Sequence, residues 1–142
     1  MDLALLIVRV VVGVIFAAHG AQKLFGAFEG PGLEATVTSM GQMLPKGVVY
    51  AVIIGEFFGG CGLVLGFLSR FSAASLILIM AGAIQMVHGP NGFFLQNRGF
   101  EYNVALIGLL LPILIAGPGA FSLGRFLMPK SSSTGRPIVV LE

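Results

Sequence analysis

Charge is what this sequence has least of. Only 10% of its 142 residues are Asp, Glu, Lys or Arg, about half the usual share. Hydrophobic residues make up 56%, and the mean hydropathy is +0.99. So few charges cannot cover a surface that faces water, so the chain reads as an integral membrane protein. Cysteine is nearly missing too. Cys61 stands alone, which excludes an internal disulfide or a CxxC pair. A cysteine-rich zinc or iron–sulfur site is short of ligands for the same reason. Set in "GGCG", that thiol reads as buried and inert. A net charge of +2 is too small to point to nucleic acid. GxGxxG, GxxxxGKS/T and GxSxG are absent, and no internal repeat is evident.

What is present is a series of apolar runs. A spanning helix needs about 20 mostly apolar residues. Spans are expected at about 3–25, 47–68, 71–88 and 101–117, with Pro112 kinking the last. The opening run lacks a basic leader and is interrupted by Arg9, so it reads as a retained helix rather than a secretory signal. The fold class expected is all-α, a four-helix transmembrane bundle. Residues 1–127 form the membrane domain and 128–142 a Ser-rich linker and C-terminal tail. Arg70, Arg125, Lys130 and Arg136 fall on one side of the membrane, against Lys46, Arg98 and the helix-end Lys23 on the other. The positive-inside rule then puts both termini in the cytoplasm. Gly13, Ala17 and Ala21 recur every four residues, as do Gly55 and Gly59, then Gly62 and Gly66. Such stripes let helices approach closely in lipid. They serve packing within the bundle or a seam with another helix.

The costly residues in these spans are polar. His19, Gln22 and Lys23 share one face of the first helix. Arg9 lies about 40° around the axis from Lys23 and deeper. Glu56 is placed about 13 Å down the second helix, where a lone charge costs several kcal/mol. Arg9 is the favoured partner and His19 the alternative. Gln85 and His88 close the third helix. Glu101, Tyr102 and Asn103 open the fourth. The candidate polar pocket is therefore Arg9, His19, Gln22, Lys23, Glu56, Gln85, His88 and Glu101. It acts either as a staple between helices or as a buried site. Lys23 and Glu101 also have structural explanations, in snorkelling to the interface and in a helix N-terminus that favours an acid. The two histidines suit a quinone carbonyl, a metal or haem, or simple interfacial hydrogen bonds. No HxxxH or ExxH spacing supports a metal, and none is expected. "GPNGFFLQNRGF", with its turn formers and Phe93, Phe94 and Phe100, reads as a hairpin that dips into the interface. It would be a lid over the cluster or a membrane anchor.

These residues carry a resemblance. "LLIVRVVVGVIFAAHGAQKLFG", with Arg9, Gly13, His19-Gly20 and Lys23 in order, resembles the opening helix of the DoxX family. "GEFFGGCGLVLGFLSRFSA" resembles its second helix, and "GFEYNVALIGLLLPILIAGPGAFSLGRFL" its last segment. The resemblance covers about residues 3–127. It implies a bacterial or archaeal inner-membrane protein of four helices. It also implies an association with redox complexes, among them thiosulfate:quinone oxidoreductase and complexes that detoxify oxidants or handle thiols. The family pattern maps onto Arg9, His19, Lys23, Glu56 and Glu101 without defining a catalytic set. The tail "KSSSTGRPIVVLE" departs from it, and its strand-like "PIVVL" would need a partner to order it.

Two functions follow as expectations. One is the membrane subunit of an oxidoreductase, with quinone as the cofactor that the pocket would take. The other is a non-catalytic accessory subunit, bound to lipid and to other membrane subunits through its small-residue faces and tail. A small-solute permease is a weaker third, since four helices are few for a pore and no inverted repeat is visible.

Overall fold

A computed structural model describes residues 2–127. Over that range the chain is mostly helical and contains no strand. Helix α1 is Asp2–Phe25, α2 Gly32–Met40, α3 Lys46–Leu65, α4 Ser69–Ala83, α5 Glu101–Ala116 and α6 Leu123–Leu127. A π turn, Ile84–His88, prolongs α4. Three helical stretches are long and apolar enough to cross a membrane: Asp2–Phe25, Lys46–Leu65 and Ser69–Asn91. At 1.5 Å per residue, α1 measures about 36 Å and α3 about 30 Å, which matches a hydrocarbon core of about 30 Å. Helix α5 runs uninterrupted through Pro112 but measures only about 24 Å. The spans expected at 47–68 and 71–88 each shift by a few residues. The reason is the turn Gly66-Phe67-Leu68, in which Gly66 caps α3 at φ +73 and lets α4 begin at Ser69. Pattern reading left α2 and α6 as loop and tail.

The four long helices pack in the order α1, α3, α4, α5 and back to α1. Their shared interior holds Val12, Phe16, Leu63, Ala73, Leu76, Met80, Leu106, Leu110 and Ile113. Leu3, Ile7, Val11 and Val14 on the opposite face of α1 are half or more exposed. In water such a stripe would be an anomaly. In a bilayer it is the face that lipid covers. Lipid tails are as apolar as leucine, so close packing rather than water expulsion holds the helices together.

The α1–α3 contact shows how. A Cβ on Gly60 would stand 2.7 Å from the Gly13 carbonyl oxygen, and one on Gly13 would stand 2.9 Å from that of Gly60. Gly20 meets Phe57, Ala17 meets Gly60 and Gly13 meets Val64. Each step down α1 is matched by an equal step along α3, which sets an antiparallel register. Gly55 and Gly59 turn the other way, against Ile79 and Leu76 of α4. Much of the small-residue pattern is thus spent inside the chain.

At the end that carries the N-terminus, the segment after α5 folds back under the helices. The Asp2 carboxylate accepts from the Ala120 amide at 2.8 Å. Arg70 donates to the Ile115 carbonyl at 3.0 Å, and Arg9 to the Phe121 carbonyl at 2.5 Å. The Gly124 amide donates to the Gly66 carbonyl at 3.1 Å. The tail 128–142 lies outside the described residues.

Candidate functional site

The polar side chains divide between the two ends of the helix ring. Arg9 is only 1% exposed. It packs against Gly66 and Ser122, and its hydrogen bond goes to Phe121. The expected Arg9–Glu56 pair does not form. Glu56 instead forms an ion pair and a hydrogen bond with Lys23. The α1–α3 register explains the correction. Continued along both helices, it sets Glu56 opposite residue 21. Lys23 is then about 3 Å away along the axis and Arg9 about 18 Å, at 1.5 Å per residue. Counting depth from residue 47 treated the helix ends as flush. In fact the first turns of α3 overhang the end of α1, with α2 packed against both helices.

The Lys23–Glu56 pair borders a cavity of about 260 Å³. Helix α1 contributes Phe16, His19 and Lys23 to it, α3 Glu56, and α4 Met80 and Ala83. His88 comes from the π turn, Leu95 and Gly99 from the following loop, and Tyr102, Asn103 and Leu106 from α5. The Glu56 side chain is 4% exposed and that of Lys23 25%. A carboxylate this dry requires a partner, and the long, flexible lysine stem supplies one from a rim position. Asn103 is buried and donates to the Met80 sulfur at 3.3 Å.

Loop 89–100 lies over the cavity. The His88 ring meets the Arg98 carbonyl through Nδ1 at 2.8 Å. Asn91 donates to the carbonyls of Val87, at 3.2 Å, and Arg98, at 3.4 Å. Glu101 accepts from the Leu95 amide at 2.7 Å. Phe93 makes edge-to-face contacts with Phe94 and Phe100 at 5.4 and 5.5 Å. Phe93 and Phe94 are also strongly exposed, so the loop both roofs the cavity and offers aromatic surface to an interface.

Of the eight residues anticipated, His19, Lys23, Glu56 and His88 line the cavity. Gln22 borders a neighbouring hollow that His19 and Tyr102 share, and donates to the Phe28 carbonyl at 3.5 Å. Gln85 is exposed outside the cavity, Glu101 shapes the loop, and Arg9 belongs to the other end. Pattern reading missed the contribution of Met80 and the π turn that carries His88. A π turn leaves no local mark in sequence, although such turns concentrate at functional sites. Among the described residues, no three His, Cys, Asp or Glu side chains come together as a metal-binding group.

Long apolar helices around a small cavity with a few polar groups on its wall define a multi-pass helical membrane protein. The DoxX family model matches residues 4–89, from the start of α1 through the π turn. The chain belongs to the DoxX family. YqjF, an inner membrane protein of Escherichia coli K12, is 30% identical over 132 residues, which cover 91% of this chain and 95% of YqjF. YphA, an inner membrane protein of the same organism, is 31% identical over 131 residues, covering 85% and 88%. CatD of Bacillus subtilis 168, provisionally named an oxidoreductase, is 28% identical over 113 residues, 79% of each chain. No solved structure matches the chain. Its place is the bacterial inner membrane, which it crosses more than once.

Proposed function

We propose that this protein is the membrane subunit of a quinone-linked redox complex, with the Lys23–Glu56 cavity as its ligand site. The observation that carries the reading is a buried carboxylate–ammonium pair at a small, mostly apolar cavity with two imidazoles on its wall. An aromatic ring with oxygens at its edge suits that mixture. Phe16, Met80 and Leu106 supply apolar wall, and Lys23 supplies donors for a ring oxygen. Glu56 holds the ammonium in place and offers a relay for protons. The same cavity could instead serve a thiol- or oxidant-handling complex, and the provisional name of CatD favours redox chemistry in general.

In this reading α5 also crosses the membrane, tilted or locally thinning the bilayer to offset its length. The result is a four-helix transmembrane bundle. Both termini are cytoplasmic, as the Lys and Arg distribution favours, and the cavity opens toward the outer face. Quinone extracted from the purified protein, together with electron flux lost in His19→Ala and His88→Ala, is the expected outcome. Unchanged flux in both variants would overturn the reading.

An apolar groove favours a second reading. About 590 Å³ in volume, it runs between α3 and α4 and is lined by Gly55, Gly59 and Gly62 with Ser72 and Ser75. Such a surface accepts a neighbouring helix. The protein would then be an accessory subunit, attached through this face and through the tail. Co-purification of larger subunits, lost in Ser75→Phe, supports that role. A monodisperse monomer from native membranes counts against it.

A further inference from the structure

His88 stands where α4 gives way to the π turn, and its Nδ1 lies 2.8 Å from the Arg98 carbonyl oxygen. A carbonyl only accepts, so Nδ1 carries the hydrogen and donates. In the neutral ring, Nε2 then holds a lone pair and no hydrogen. Among the described residues Nε2 has no hydrogen-bond partner, while the ring lines the cavity. Neutral His88 therefore cannot donate to a quinone carbonyl. It can accept from a hydroxyl. Lys23 has the opposite character, since an ammonium donates three times and never accepts. One of those donors is spent on Glu56.

We propose that the cavity selects the reduced, hydroxyl-bearing form of its ring ligand, a hydroquinol. One hydroxyl hydrogen-bonds to Nε2 of His88, and the Lys23 ammonium donates to an oxygen of the same ring. This inference rests on the quinone-linked reading above and sharpens it, because a quinone offers only acceptors and leaves the His88 lone pair unmatched. A site built to receive a hydroxyl disfavours the analogue that lacks it. The same Nδ1 hydrogen bond helps hold loop 89–100 in place, with Asn91 sharing the Arg98 carbonyl. The contact that orients the His88 ring is thus also one of those that hold the roof.

Two substitutions separate these roles. His88→Asn keeps a donor near the position of Nδ1 and has nothing at Nε2. His88→Gln reaches toward the position of Nε2 with an acceptor oxygen and gives up the Arg98 contact. The probes are menadiol and menadione, titrated anaerobically against the full chain in detergent. The wild type is expected to bind menadiol about fivefold more tightly, the worth of one net hydrogen bond. In His88→Asn that ratio falls to about one, with amide exchange at Gly99 and Phe100 unchanged. In His88→Gln part of the preference survives and those amides exchange faster. Equal binding of both probes by the wild type overturns this inference and leaves the quinone reading standing. Binding of neither probe overturns both. Nitrogen NMR of the His88 ring is a ligand-free check: a hydrogen found on Nε2 instead of Nδ1 overturns the inference by itself.

Discussion

The two ends of the helix ring each take a cation out of water and treat it differently. At the terminal end, Arg9 is buried. One of its nitrogens reaches the Phe121 carbonyl, and among the described residues Nε and Nη1 have no partner. Gly66 packs so closely on the guanidinium that even a methyl group there would meet it. At the loop end, Lys23 meets a carboxylate, and open volume lies beside the pair. A guanidinium tied to the Phe121 carbonyl is a fastener, and it holds the segment after α5 under the ring. An ammonium held by a carboxylate next to a cavity remains available to a guest. The lesson is that burial of a charge does not mark a site; what faces the charge does.

The largest effect expected from breaking this contrast is at the loop end. Lys23→Met leaves Glu56 buried without a partner and should cost about 3 kcal/mol, while Lys23→Met combined with Glu56→Leu recovers most of it. Unfolding in a mixed-detergent titration measures both. A single substitution that costs under about 1 kcal/mol would show that the pair is not needed to bury Glu56. Next comes Gly66→Ala at the terminal end. It forces an L residue to φ +73 and drives a methyl group into the Arg9 guanidinium, for about 2 kcal/mol in all. Ligand binding in the cavity should be unaffected, and a loss of binding in the folded variant would dissolve the division between the ends. Arg9→Met should cost about 1 kcal/mol for the hydrogen bond to Phe121. Its readout is faster amide exchange over 120–124, and unaltered exchange there would show that Arg9 fastens nothing. The smallest effect is Glu101→Gln, which exchanges a charged acceptor for a neutral one at the Leu95 amide and costs about 0.5 kcal/mol. Exchange at Leu95 should quicken a few-fold with global stability unchanged; identical exchange would remove Glu101 from the roof.

Composition and hydropathy made the membrane class legible, and helical phase brought His19 and Lys23 to one face. Depth was harder to read. Lys23 and Glu56 carry no mark of their mutual level, because that level depends on how far α3 overhangs α1. The overhang is set by Gly13, Gly20 and Gly60, whose missing side chains allow a single close register. The stripe of small residues was visible in the sequence, but which helix each glycine would meet was not. Arg9 was misplaced for the same reason. Its hydrogen-bond partner, Phe121, arrives from more than a hundred residues further along the chain, beyond the reach of any local pattern. Loop 89–100 was legible as a break between helices from its glycines and proline, and it folds as two short 3-10 turns. The bonds that tie it to His88 and Glu101 depend on three-dimensional placement.

The π turn has a consequence for how this protein tolerates insertions and deletions. Five residues, Ile84–His88, share a turn that ordinary helix winds with fewer. Loss of one residue before His88 would be taken up as the turn reverts to regular helix, whereas regular winding at the present length would swing the residues that follow by about 100°. His88 would then turn from the interior of the ring toward a different neighbour, with every apolar residue before it still in place. In this segment the spacing of the chain acts as a gear tooth. How the chain winds there decides which side chain looks into the cavity.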